Sequence, residues 1–266
     1  MARFMDERPP AQDTVTESYK GAEVVSPSAS VATDEWAMQQ VRERRFLINR
    51  LDEWVYDLIT PYLGNRILEV GCGMGNLVRA LLARELVVGI DLEPKVISHL
   101  RQAYCDQPNV QFHSVDISDP RVLELASYSF DTIVSLNVLE HVEDDLLALT
   151  HMRQLIGPAG NLVLIVPAHS WLYGTMDRSI GHHRRYDKAT MAEKLAEAGL
   201  EAIMQTYMNS LGALGWFVNG RILRQTVPPS GQLKLFNLIT PVLRAVERVL
   251  PVPVGISLVT VARAKA

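Results

Sequence analysis

The sequence predicts an α/β fold: a doubly wound, mostly parallel sheet of seven strands, with helices on both faces and a helical insertion before the last strand. Three observations carry this expectation. Short apolar runs repeatedly close on a carboxylate or turn residue and give way to helical spacing, the alternation of a parallel sheet with its crossover helices. The first run, Ile67-Leu68-Glu69-Val70, opens directly into Gly71-Cys72-Gly73-Met74-Gly75, a turn suited to a backbone that must bend sharply and approach a ligand. Five such runs precede two further strand patterns, and right-handed crossovers between them would cover both faces of one sheet.

Composition sets outer limits. The 266 residues are 48% apolar and 21% charged, enough for a substantial core. Cys72 and Cys105 make no disulfide framework. Glu7, Pro9, Pro10 and Asp13 stand where an export signal would need an apolar run, so a cytoplasmic protein is expected. A net charge of −4 argues against a general nucleic-acid binder, which would need a broad basic surface.

In chain order, residues 1–32 read as a flexible tail. Residues 33–64 follow, with Trp36, Val41, Leu51, Trp54, Val55 and Leu58 at helical intervals, as helices that either pack on the sheet or form a lid. The core is expected over 65–208. Its strands fall near 67–70, 86–91 (closing on Asp91), 109–116 (closing on Asp116), 130–137, 160–166 and 200–207. Leu77, Val78, Leu81 and Leu82 give the helix after the glycine turn its buried face, and Val96, Ile97, Leu100 and Tyr104 do the same for the next. His113, inside the third strand, reads as a packed or surface histidine. Asp144 and Asp145 read as solvated charges in the first turn of a helix. A connector over 168–187 gathers hydrogen-bonding and aromatic groups at the carboxyl end of a parallel strand, where α/β folds build sites. A cap over 209–254 carries Arg221, Arg224, Lys234, Arg244 and Arg248 against Glu247, a local charge of +4, before the final strand over 255–266.

The glycines fall as Gly71-x-Gly73-x-Gly75 rather than G-x-G-x-x-G, which disfavours a nicotinamide dinucleotide. With Glu69 two places ahead, this segment resembles motif I of the class I S-adenosylmethionine-dependent methyltransferases. The run Asn137-Val-Leu-Glu-His-Val-Glu-Asp-Asp145 and the run Gly181-His-His-Arg-Arg-Tyr186 resemble a bacterial small-molecule branch of that family. The resemblance implies a Rossmann-like architecture and S-adenosyl-L-methionine as cofactor. It implies that Glu69, Gly71, Cys72 and Gly73 form the cofactor loop, that Asp91 with Leu92 lies at the ribose, and that Asp116 with Ile117 lies at the adenine. Asn137 would stand beside the sulfonium.

His141 is the candidate catalytic base, since an imidazole titrates near neutrality; the alternative is a histidine that only fixes the loop. Tyr173, His182, His183, Arg184, Arg185 and Tyr186 are the candidate acceptor-binding residues. No metal is expected, because two adjacent histidines lack a second ligand pair at chelating spacing. The reaction class implied is methyl transfer to a small-molecule acceptor, hydrophobic or lipid-linked if the basic, apolar cap forms part of its pocket. Peripheral contact with an anionic membrane is a further expectation. A nicotinamide oxidoreductase and a cofactor-binding scaffold without turnover are the alternatives.

Overall fold

The computed structural model describes residues 39–40, 43–44, 46–250 and 252–265. The expected tail over 1–32 and the positions Trp36 and Val41 lie outside the described residues. The seven strands are β1 (Arg66–Val70), β2 (Leu86–Asp91), β3 (Val110–Ser114), β4 (Phe130–Leu136), β5 (Ile156–Pro167), β6 (Leu200–Met208) and β7 (Ser257–Ala264). They form one sheet in the order β3-β2-β1-β4-β5-β7-β6, with only β7 antiparallel to its neighbours. The chain leaves β1 toward β2 on one side and returns to β4 on the other. The crevice outside the carboxyl ends of β1 and β4 is therefore the switch point at which such sheets bind ligands.

Side chains along each strand alternate between two cores. Leu68, Val88, Ile133, Leu162 and Leu164 face one layer with α4 (Asp145–Leu155) and α6 (Lys188–Glu197). Ile67, Val87, Val134, Val163, Val259 and Val261 face the other, covered by α1 (Asn49–Ile59), α2 (Asn76–Ala80) and α3 (Pro94–Ala103). Two fully covered faces are why the strands read as continuous apolar runs rather than as alternating ones. Trp54 and Ile59 of α1 are buried in this second core, so α1 packs on the sheet face.

Local chemistry sets the helix starts. Pro94 occupies the first turn of α3 behind Glu93, whose side chain accepts from Lys95 N, and Asp144 caps α4 by accepting from Leu147 N at 2.9 Å. Two strand boundaries differ from expectation. β5 begins at Ile156 rather than near 160, with an irregularity in its pairing to β4 between Phe130 and Thr132. β3 ends at Ser114, so Asp116 lies in the following loop, where its Oδ1 accepts from Ser118 N at 2.7 Å.

Between β6 and β7 lie α7 (Ser210–Trp216), a π-helical turn over Phe217–Ile222, and α8 (Ser230–Val249). α8 lies against α1. Pro241 within α8 has no N–H, which leaves the carbonyl of Asn237, four residues earlier, without its helical donor. Arg50 of α1 supplies the substitute: its Nη1 donates to the carbonyls of Asn237 at 3.5 Å and Leu238 at 3.2 Å, while Arg244 pairs with Asp57. The apolar residues of α8 divide accordingly. Phe236, Ile239 and Leu243 are half-buried, whereas Leu235, Leu238, Val242 and Val249 are 60–76% exposed. Among the described residues, no helix is long and apolar enough to cross a membrane.

Candidate functional site

The glycine turn stands at the switch point and is tied to the neighbouring strand. Gly71 N and Cys72 N both donate to Ile90 O, at 2.8 and 2.9 Å. Two glycines are required for different reasons. At Gly71 (φ +71°) an added Cβ would lie 2.3 Å from Val138 Cγ2, so the loop approaches the end of β4 only without a side chain. At Gly73 (φ +48°) nothing lies within 4 Å of such a Cβ; the left-handed backbone is the constraint, and the space in front is open.

The acids around this turn have distinct surroundings. Asp91, at the end of β2, is partly exposed; its Oδ2 accepts from Gly73 N at 2.9 Å and its Oδ1 from Glu93 N at 3.0 Å. A carboxylate has about four lone-pair positions, so capacity for further donors remains. Glu69 is buried with Oε2 unpartnered, and its pKa is pushed up to about 8 by burial, with the Asp91 charge adding to the effect. Cys72 is buried beneath the loop and its thiol is pushed up by burial and by the nearby acids. Leu92 is 67% exposed beside Asp91, while Ile117 is buried with its carbonyl accepting from His151 Nδ1 at 2.7 Å. Asn137 is exposed just past β4 in a left-handed conformation (φ +55°), with its N–H donating to Ile165 O.

Four residues later the chain enters a second constellation, built with the connector after β5. Asp177, on the short helix α5 (Thr175–Ser179), is fully buried at its centre. Its Oδ1 faces His182 Nδ1 at 2.9 Å and accepts from Arg185 Nε at 2.7 Å; its Oδ2 accepts from Gly174 N at 2.9 Å and Trp216 Nε1 at 3.0 Å. Burial alone would raise the Asp177 carboxyl, but these donors hold it below the usual range. Glu140 is completely buried and neither of its oxygens has a hydrogen-bond partner; burial pushes its pKa up to about 8. His141 is exposed, with Nδ1 3.3 Å from Gly181 O and its ring edge-on to that of His182 at 4.8 Å between centroids.

The predicted acceptor residues therefore have unequal positions. Arg185 and Tyr186 are interior: the Arg185 guanidinium is held by Asp177 and Ala168 O, and the Tyr186 hydroxyl donates to Asp145 Oδ2 at 2.9 Å. Asp145 is not the solvated charge expected. It is buried, and Arg184, Tyr186 and Lys194 outweigh its desolvation and hold its carboxyl low. Arg184 also donates to Glu143 O, so both ends of its guanidinium are engaged. The Tyr173 hydroxyl donates to His182 O at 2.8 Å, and exposed His183 donates its backbone N–H to Glu140 O. Of these six, His183 projects from the surface and Tyr173 and Arg184 are partly exposed.

Sequence reasoning assigned no role to Glu140, Asp177 or Trp216. An acid inside the apolar run Val138-Leu139-Glu140 was a legible signal for Glu140; nothing local marked Trp216, which reaches Asp177 from across 39 positions. The histidine pair also does not stand alone: Glu140, His141 and His182 bring potential ligand atoms within 4.8 Å of one another.

Comparison with known proteins bears on this arrangement. A family model described as a methyltransferase domain matches residues 68–162, from β1 through β5. A ubiquinone biosynthesis O-methyltransferase of Paracidovorax citrulli is 33% identical over 40% of this chain and 45% of its own length. A Mycolicibacterium smegmatis protein named a "Probable S-adenosylmethionine-dependent methyltransferase" is 26% identical over 66% of this chain and 67% of its own. The chain thus spans less than half of the first relative. Among solved structures, an S-adenosylmethionine-dependent methyltransferase from Mesorhizobium loti shares the fold, with a TM-score of 0.53 and 19% identity over 79% of this chain and 97% of that one.

Proposed function

We propose that the chain is a class I S-adenosylmethionine-dependent methyltransferase and that it methylates a small-molecule acceptor carrying an apolar portion. The observation that supports this most is the meeting, at one switch point, of an open left-handed glycine turn, a carboxylate on the next strand and an exposed left-handed Asn137. When bound, S-adenosylmethionine supplies an electrophilic methyl on its sulfonium, which an acceptor nucleophile takes as S-adenosylhomocysteine leaves.

The residues present suit that cofactor. The unfilled space before Gly73 admits a ligand against bare backbone, and Asp91 has lone pairs left for the two hydroxyls of a ribose. Asp116 and the buried Ile117 follow β3, in the loop with which the family holds adenine. Glu69 is buried near the end of β1, just ahead of the turn. The rest of the task is alignment, for which a rigid wall serves. Asp177, with its four donors, locks the connector, and Asp145 locks the start of α4, so the segment bearing His141 is held from both sides. His141, exposed and next to that wall, stands where an acceptor hydroxyl would lose its proton.

The half-exposed apolar surface of α8 is the feature that favours a hydrophobic or lipid-linked acceptor. Leu235, Leu238 and Val242 leave a row uncovered beside Lys234 and Arg248, a combination suited to an acyl chain and to peripheral contact with anionic lipid. Calorimetric titration with S-adenosylmethionine and, separately, NADH tests the cofactor: binding of the first alone is expected. Formation of S-adenosylhomocysteine with a panel of hydroxylated acceptors, short- and long-chain, tests turnover. A protein that binds cofactor but releases no product with any acceptor of the panel would favour a scaffold instead.

A further inference from the structure

We infer that Glu140, His141 and His182 form a binding site for one divalent cation of the zinc class. Three observations meet here. The three side chains present ligand atoms within 4.8 Å of one another, although they come from two segments about 40 residues apart. His182 is oriented: its Nδ1 lies 2.9 Å from Asp177 Oδ1, and Asp177 accepts its other bonds from N–H donors, so Nδ1 carries the hydrogen. That leaves the lone pair of Nε2 turned toward Glu140 Oε1 at 3.7 Å. A carboxylate behind a histidine, fixing its tautomer, is the arrangement that supports metal-binding imidazoles.

The third observation is Glu140 itself, with no exposed surface and no hydrogen bond to either oxygen. A nitrogen lone pair facing a buried, unpartnered carboxyl oxygen leaves two polar groups unsatisfied, and a cation between them would satisfy both. Arg185 is the nearby cation, but its Nε and Nη1 are engaged by Asp177 and Ala168 and it makes no hydrogen bond to Glu140. Two imidazoles and one carboxylate are a ligand set of zinc and its neighbours, and three protein ligands leave a fourth position for solvent on the side of exposed His141.

The consequence for catalysis rests on the methyl-transfer reading. An acceptor hydroxyl at the fourth position would be acidified by the cation and would release its proton to solvent, with His141 serving as a ligand rather than as the base. The binding test is independent of turnover.

Tag-free full-length protein, stripped with chelator, is titrated with Zn²⁺ by calorimetry and with Co²⁺ by visible absorption. One Zn²⁺ per chain and the intense d–d bands of four-coordinate Co²⁺ are expected. His141→Ala, at an exposed position, should fold as the wild type does and lose affinity by 10-fold or more, by loss of a ligand; His182→Ala should do the same if it folds. Cys105→Ser, which removes an exposed thiol elsewhere, should bind as the wild type does. Absence of stoichiometric binding in the wild type overturns the proposal, as does a His141→Ala protein that binds Zn²⁺ as tightly as its parent.

Discussion

Asp91 and Glu69 sit 22 positions apart in sequence and share one cleft, yet they answer to different forces. Asp91 is solvated and its oxygens hold the glycine loop and the start of α3. Asp91→Ala is expected to weaken S-adenosylmethionine by about 1.5–3 kcal/mol, the cost of a charge-assisted hydrogen bond left without its acceptor. Calorimetry on the folded variant decides this, and unchanged affinity would take Asp91 out of the site. Glu69 is governed by burial. It keeps its proton in the folded chain to about pH 8, whereas an ordinary glutamate releases it near 4.5. The folded state therefore holds the extra proton between those values, and stability falls as pH rises across the window, by at most about 1.4 kcal/mol per pH unit from this group. Glu69→Gln cannot ionise and should lessen the slope. Urea midpoints at pH 5 and pH 8 measure it, as a difference from wild type, since Glu140 is buried in the same way. An equal slope in the two proteins would show that Glu69 is not the group responsible. The charge pattern at this scale was only partly visible in sequence. Asp91 announced itself by closing a strand, but Asp145 looked like any acid in a first helical turn, and the distant Arg184, Tyr186 and Lys194 make it an interior anchor.

Strands were the most legible elements because burial on both faces writes each one as an apolar run with a sharp end; β2 occupies the expected 86–91. The beginning of β5 was not legible, since Ile156-Gly157-Pro158-Ala159 reads as a turn and is drawn into the sheet by its pairing with Phe130. α8 shows a different limit. Apolar residues cover so much of its circumference that spacing identifies the helix without telling which side is buried; Phe236, Ile239 and Leu243 are the half-buried ones, and Leu243 packs against the core that α1 also enters. That division separates two kinds of substitution. Leu238→Ser with Val242→Ser, both about two-thirds exposed, should leave the urea midpoint within about 0.5 kcal/mol of wild type, as is usual at the surface. The same pair should reduce co-sedimentation with anionic vesicles and abolish any preference for a long-chain acceptor over its soluble analogue. Vesicle binding and chain preference that both survive would assign the exposed row no part in lipid contact. Serine at Leu243 is instead expected to destabilise the fold, because this side chain packs against the core beneath α1.

At the scale of the whole molecule, the fold class could be read because the alternation of run and helix repeats five times before any irregularity. The glycine turn of the candidate site could be read because one contiguous stretch forms it. The second constellation joins segments near 182 and 216, and no local pattern reveals that they meet at Asp177. The sheet order has its own requirement. β7 is the last strand in the chain but lies between β5 and β6, paired to both. Removing residues 257–266 would strip β5 of a neighbour and leave β6 with none. That truncation should yield insoluble or unfolded protein, assessed by circular dichroism and gel filtration. A soluble, cooperative and monomeric product would mean that β6 and β7 are an appendage to a self-sufficient five-stranded core.

The same strand order bears on how the protein is made. A ribosome that has finished β6 must still synthesise residues 209–256 before β7 exists, roughly 2–10 s at about 5–20 residues per second. During that interval β5 offers an open edge, and β6, which pairs with β7 alone, has nothing to join. The amphipathic α8 is translated within this gap, ahead of the strand that closes the sheet. Nascent chains are thus most adhesive before β7 is added, and a chaperone or lipid surface that occupies the exposed row of α8 would meet the protein before its sheet is complete.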